Sequence, residues 1–260
     1  MTSFPNGKSA KLQVYGQSQK RCRELVAHYG GKCLKSQPAA WIKKASQPIV
    51  LPFPPHLCVV SEGHPPRPHH KLPRLLIPAG MAFGSGDHAT TGMCLRQTPQ
   101  NAAPPRSRKK RLLDLGTGSG ILALAAALHG HEVIGLDFDP ESIRTARENL
   151  RQNPVPGKVR WVRADLNSWT PTQGPYDLIT ANLFSNLLIQ NLPRIKEWLQ
   201  PQGEIILSGI LKTQWPEVLT TLNQLKLQPQ HILKKGKWVC AVLCHSGQLK
   251  SSQQKLPRPR

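Results

Sequence analysis

No apolar run in this chain is long enough to cross a bilayer. The longest, Ile121 to Leu128, falls far short of the roughly 20 residues a span requires. The first eleven residues lack the apolar core of a signal peptide, and the six cysteines, Cys22, Cys33, Cys58, Cys94, Cys240 and Cys244, contain no C-x-x-C pair. These absences predict reduced thiols, a cytoplasmic location and no membrane partner. His56, His64, His69 and His70 fall in a proline-rich stretch without ordered ligand spacing, so no metal site is expected. Acidic residues are also scarce, 14 against 35 Lys and Arg, leaving a formal charge of +21 over 260 residues. Residues 1–110 carry +14 of it, residues 111–246 only +3 and residues 247–260 the remaining +4. Basic surfaces speed encounter with polyanions, which makes a ribosome or ribosomal RNA a candidate neighbour of the basic first lobe.

Two spacings carry the chemistry. Leu112 to Gly120 reads as an apolar strand running into Gly116-Thr117-Gly118-Ser119-Gly120, and a second apolar run, Val133 to Leu136, ends in Asp137 and Asp139. Such a βαβ unit binds a nucleoside. A dinucleotide needs G-x-G-x-x-G so that its pyrophosphate can sit on the following helix, whereas Ile121 occupies the place of that third glycine. No phosphate-gripping lysine of the P-loop kind lies nearby. A ligand with a ribose and no phosphate is therefore expected, and S-adenosylmethionine is the common cofactor of that description. Gly116 and Gly118 let the backbone approach it, and Asp137 at the strand end can accept from both ribose hydroxyls. Asp139, followed by Pro140 and Glu141, suits an N-cap. Asp165 either accepts from the adenine amino group or is a loop carboxylate. Asn182 closes the next strand; its amide can orient a primary amine or the cofactor, and the alternative is a turn-forming asparagine. Leu183 and Phe184 follow directly, which disfavours an acceptor base clamped by an Asn-Pro-Pro-aromatic motif.

Strands alternate with helices from Leu112 onward, as in a parallel sheet with helices on both faces. The expected order is strand 112–115, helix 121–129, strand 133–136, helix 140–152, strands 159–163 and 176–181, helix 184–200 and strand 204–208. A closing hairpin of 231–233 and 238–243 supplies an antiparallel edge. The fold class is thus α/β, a Rossmann-like seven-stranded, mostly parallel sheet with a small N-terminal α+β lobe. That lobe and a Pro/His-rich linker fill residues 1–73, with a helix near 18–29 and short strands at 12–15, 33–34, 41–42, 49–51 and 57–60. The main domain covers 74–246, and 247–260 is expected to be a basic disordered tail.

Ala82 to Thr91, Ala-Phe-Gly-Ser-Gly-Asp-His-Ala-Thr-Thr, resembles the signature loop of the PrmA family, which methylates ribosomal protein eleven of the large subunit. Asp114 to Ala123, Gly135 to Pro140, Thr180 to Leu183 and Leu207 to Leu211 are similar to that family's blocks, in its order. The resemblance implies a class I, S-adenosylmethionine-dependent methyltransferase of protein amines, lysine side chains or an N-terminal α-amine. It implies cofactor contacts from Thr91, Gly116, Asp137 and Asn182, the last also the catalytic candidate. Phe83 in the signature loop could cover the site and exclude water. The stretch before the signature is shorter than the family's substrate-recognition lobe. Two other readings stay open: an RNA methyltransferase, suggested by the basic first lobe, and a non-catalytic ribosome-binding protein that keeps the fold.

Overall fold

The computed structural model describes residues 19–29, 49–63, 69–78, 84, 86–102 and 109–247. By contact the chain divides into residues 1–47 and 48–260. In the first unit the described element is helix α1 (Gln19–Tyr29), close to the expected 18–29. The strands expected at 12–15, 33–34 and 41–42, and the tail after Gly247, lie outside the described residues.

The second unit holds two sheets. Strands β1 (Val50–Phe53), β2 (Leu57–Val60) and β3 (Arg74–Leu76) form the smaller, in the order β1-β2-β3. Pro52 lies on an edge strand, where a missing N–H costs least. Helix α2 (Ala89–Ala102) leads to the larger sheet, built by β4 (Arg111–Leu115), α3 (Ile121–Leu128), β5 (Glu132–Asp137), α4 (Pro140–Gln152), β6 (Lys158–Arg163) and β7 (Tyr176–Asn182). Helix α5 (Ser185–Glu197), β8 (Leu199–Leu211), α6 (Trp215–Gln224), β9 (Leu227–Lys235) and β10 (Trp238–His245) complete it. Its order is β6-β5-β4-β7-β8-β10-β9, parallel except for β10, which runs antiparallel to both neighbours.

Alternation along the parallel strands divides the core. Leu112, Val133, Leu178 and Ile206 face one cluster with α2 and α3, while Leu113, Ile134, Ile179 and Ile205 face another with α5 and α6. Each fully buried aliphatic side chain contributes about 1.5–3 kcal/mol. Helix α3 is buried from Ile121 to Ala127, so its sequence is apolar all round. Helix α4 is amphipathic: Ile143, Ala146 and Asn149 turn inward, and Arg144 pairs outward with Glu141 and Glu148.

Three differences from the sequence expectation have physical causes. Strand β8 runs past 204–208 at both ends, because Leu199 pairs with Tyr176 before a register shift at Pro201 to Gly203. Helix α6 was not anticipated; only Val218 and Leu222 on it are buried, too few for a clear helical period. The lobe drawn through residue 73 divides earlier by contact, because Phe53, Leu57, Val59 and Leu75 bury in the same cluster as Ile121 and Leu122.

One side chain fastens the small sheet. Asn153, 4% exposed, accepts from the Leu76 N–H at 2.7 Å and donates to the Leu76 carbonyl at 2.7 Å, acting as one residue of an added strand. Asn153→Ala leaves both backbone groups unpaired and should cost about 2–4 kcal/mol in urea unfolding; a loss below about 0.5 kcal/mol would contradict this role.

Candidate functional site

In a parallel sheet the carboxyl ends of β4, β5 and β7 lie along one edge, and Gly116, Gly118, Asp137 and Asn182 stand there. The loop after β4 has Gly116, Gly118 and Gly120 all at positive φ. At Gly116 the reason is tangible: φ is 67°, and a Cβ would stand 2.3 Å from Leu183 Cδ2. Thr117 N–H donates to the Leu136 carbonyl at 2.9 Å, and Gly118 N–H donates to Asp137 Oδ2 at 2.9 Å. The other oxygen, Oδ1, accepts from Asp139 N–H at 3.1 Å. Asp137 is 9% exposed and is held from both sides. A carboxylate has about four acceptor positions, so two remain for vicinal hydroxyls. Asp139 caps α4 as expected, accepting from Glu141 N–H at 3.0 Å and from the Ser142 hydroxyl at 3.1 Å.

The signature loop lies against this glycine loop. Ser119 Oγ donates to the Gly84 carbonyl at 2.7 Å, and a Cβ on Gly84 would stand 2.9 Å from that oxygen. His88 begins α2: its carbonyl accepts from Gly92 N–H at 2.9 Å, its Nδ1 lies 2.7 Å from Thr90 Oγ1, and its ring meets Trp238 edge-on. Thr91 in the first turn is 1% exposed. Asn182 Nδ2 donates to Thr91 Oγ1 at 3.5 Å, bringing together two expected site residues 91 positions apart. Leu183 N–H donates to the Ser208 carbonyl at 3.1 Å, which fixes the chain just after Asn182. Phe184 and Phe138 follow these strand ends with 80% and 73% of their surface exposed.

Asp165 is placed differently. It is exposed, and Oδ1 accepts from both the backbone N–H and the side-chain amide of Asn167, closing a loop after β6. Phe83 lies outside the described residues.

One functional residue escaped the sequence expectation. Asp114 sits inside β4, 2% exposed, and accepts from the hydroxyls of Thr117 and Thr180, each at 2.5 Å. It links the glycine loop to β7 from beneath. Its signal was a carboxylate within an otherwise apolar buried strand, where a charge is expensive unless it is paired. Burial raises its pKa from 3.8 to about 6, opposed by the two hydroxyls and helped by the negative charge of Asp137. Cys94, Cys240 and Ser208 lie buried below. Cys58, Cys94, Cys240 and Cys244 are free thiols. No histidine, cysteine and carboxylate grouping suited to a metal occurs among the described residues.

Sheet order and loop together are those of the class I S-adenosylmethionine-dependent methyltransferases. A family model described as "Ribosomal protein L11 methyltransferase (PrmA)" matches residues 41–245, and the chain belongs to that family. It is 38% identical over 165 residues to the ribosomal protein L11 methyltransferase of Thermus thermophilus, covering 64% of this chain and 62% of that protein. It is 42% identical over 167 residues to the Rhizobium meliloti protein of the same name, covering 63% and 56%. A crystal structure of a ribosomal protein L11 methylase from Lactobacillus delbrueckii subsp. bulgaricus superposes with a TM-score of 0.66 at 27% identity, over 76% of this chain and 98% of that one. The chain thus spans 62% and 56% of the length of these two relatives. Among the described residues no helix is long and apolar enough to cross a membrane.

Because the buried Asp114 takes up its proton more readily in the folded state than in the unfolded one, folding is favoured while it is neutral. Its ionisation removes that advantage as pH rises from about 4 through about 6. The shift corresponds to about 3 kcal/mol. The unfolding free energy of the protein relative to Asp114→Asn should therefore fall by that order between pH 4 and pH 7.5. A constant difference across this range would show that Asp114 is not protonated near pH 6.

Proposed function

We propose that this protein transfers a methyl group from S-adenosylmethionine to an amine nitrogen of a protein, with ribosomal protein L11, for which its relatives are named, as the substrate. The observation that carries the reading is the meeting of Thr91 and Asn182 beside the glycine loop that Asp137 holds. Bound there, S-adenosylmethionine supplies an electrophilic methyl group on a cationic sulfur. The residues fit it: Gly116 leaves a backbone wall without a Cβ, Asp137 keeps acceptor capacity for the ribose, and Thr91 stands in the first turn of α2, where free backbone donors suit a carboxylate.

The chain's own part in catalysis is positioning. Holding a nitrogen lone pair in line with the methyl carbon converts a bimolecular step into an intramolecular one. Asn182 Oδ1 accepts an N–H of the incoming amine, so that the lone pair points across the pocket. The amine must first lose a proton, at about 4–5 kcal/mol for a lysine at pH 7 and about 1 kcal/mol for an α-amine. Asp137 and Asp114 set negative charge beside the cationic cofactor, and ionised Asp114 is favoured by that cation. We take Asp165 as a turn carboxylate rather than an adenine contact, since Oδ1 is already bound by Asn167.

We assign residues 1–73 to substrate recognition. The basicity of residues 1–110 supports a ribosomal RNA contact there, and a ribosomal substrate accords with the cytoplasm. Leu183-Phe184 after Asn182 favours an aliphatic amine over a stacked base as acceptor.

Methyl-labelled S-adenosylmethionine, incubated with the full chain and ribosomal proteins, should label a protein band that survives ribonuclease. Asn182→Ala should lower kcat by about tenfold or more, with a smaller change in the KM for the cofactor. Label confined to RNA would defeat the proposal, and so would cofactor binding without turnover on any ribosomal protein.

A further inference from the structure

The opposite edge of the large sheet carries a cavity. The first residues of β4, β5, β6 and β7 surround a cleft of about 280 Å³, walled by Arg111, Glu132, Lys158, Arg160, Gln173 and Tyr176. Strands of five to seven residues separate it from the glycine loop, a distance of about 15–20 Å. Glu132 is matched by Lys158 at 3.7 Å. Arg111 donates weakly to the Gly174 carbonyl at 3.5 Å, and Arg160 enters no ion pair among the described residues. Asp177 Oδ2 accepts from the Arg111 N–H at 2.8 Å at the same strand end, so the cleft keeps about one positive charge in excess.

Tyr176 supplies the second observation. It is 1% exposed, and its hydroxyl is buried without a hydrogen-bond partner. Burial pushes the phenol's pKa up, while the charges of Arg111 and Arg160 pull it down, so both guanidinium groups act on this hydroxyl. A buried polar atom without a partner is uncommon in a folded protein and calls for an explanation. An anion between the two arginines would accept from the hydroxyl and satisfy it. Arginine's planar fork matches phosphate oxygens. The cleft is larger than a bare phosphate, and its remaining lining is aliphatic, so it has room for a small organic body.

We propose that this cleft is a second ligand site that binds a small phosphomonoester, its phosphate held by Arg111, Arg160 and the Tyr176 hydroxyl. The site is independent of methyl transfer and does not rest on that activity. No covalent step is involved.

The chain contains three tyrosines, Tyr15, Tyr29 and Tyr176, so full-length protein labelled with ring-13C tyrosine gives few resonances, and Tyr176→Phe identifies the relevant one. Glycerol 3-phosphate, which has no adenine to address the other site, should shift that resonance saturably. Arg160→Gln, on an exposed edge strand, should weaken the binding about tenfold, as for loss of one charge-assisted hydrogen bond. Affinity for S-adenosylhomocysteine should not change in that variant, which separates this site from the methyl-transfer pocket. The proposal is overturned if the Tyr176 resonance does not move, if it moves equally in Arg160→Gln, or if inorganic phosphate or an RNA strand moves it and glycerol 3-phosphate does not.

Discussion

The carboxylate of Asp137 holds two backbone N–H groups at once, and the geometry of the site follows from that. Gly118 belongs to the loop after β4, Asp139 to the start of α4, and Asp137 ends the strand between them. The bridge adds to the side-chain contacts that Asp114 and Asn149 make with the same loop. With it, the amides of the loop are committed to fixed acceptors. Parallel pairing of β4, β5 and β7 makes the bridge possible, because only parallel strands bring three carboxyl ends to one edge.

A second carboxylate works from the opposite side of the loop. Asp114 is buried where the strand interior should be apolar, and the hydroxyls of Thr117 and Thr180 meet it. Two carboxylates in a nearly neutral domain, set under a pocket for a cation, are a costly arrangement in the empty protein. The excess basic charge lies elsewhere, in residues 1–110 and at the tail.

Much of this was legible in the sequence. Asp139-Pro140-Glu141 announced the start of α4, and alternating apolar runs placed β4, β5, β6 and β7 to within one residue at each end. The glycine spacing pointed to a phosphate-free nucleoside, and the resemblance of the signature loop brought Thr91 and Asn182 into one site, although their sequence separation gave no hint of contact. What stayed hidden depended on tertiary partners. Asp114 has meaning only once Thr180 stands beside it, and Asn153 acts as a strand residue only because Leu76 lies opposite. Helix α6 buries two side chains and leaves no period to read. Tyr176 looked like an ordinary strand residue until its hydroxyl proved to be buried and unpaired.

The central claim is that the pocket at the carboxyl ends of β4, β5 and β7 accepts adenosine joined to sulfur and rejects a pyrophosphate. Calorimetric titration of the full chain with S-adenosylhomocysteine and, separately, with NAD tests this most directly. The account predicts one saturable site for the former and no measurable heat of binding for the latter. Tight binding of NAD, with none of S-adenosylhomocysteine, would contradict it.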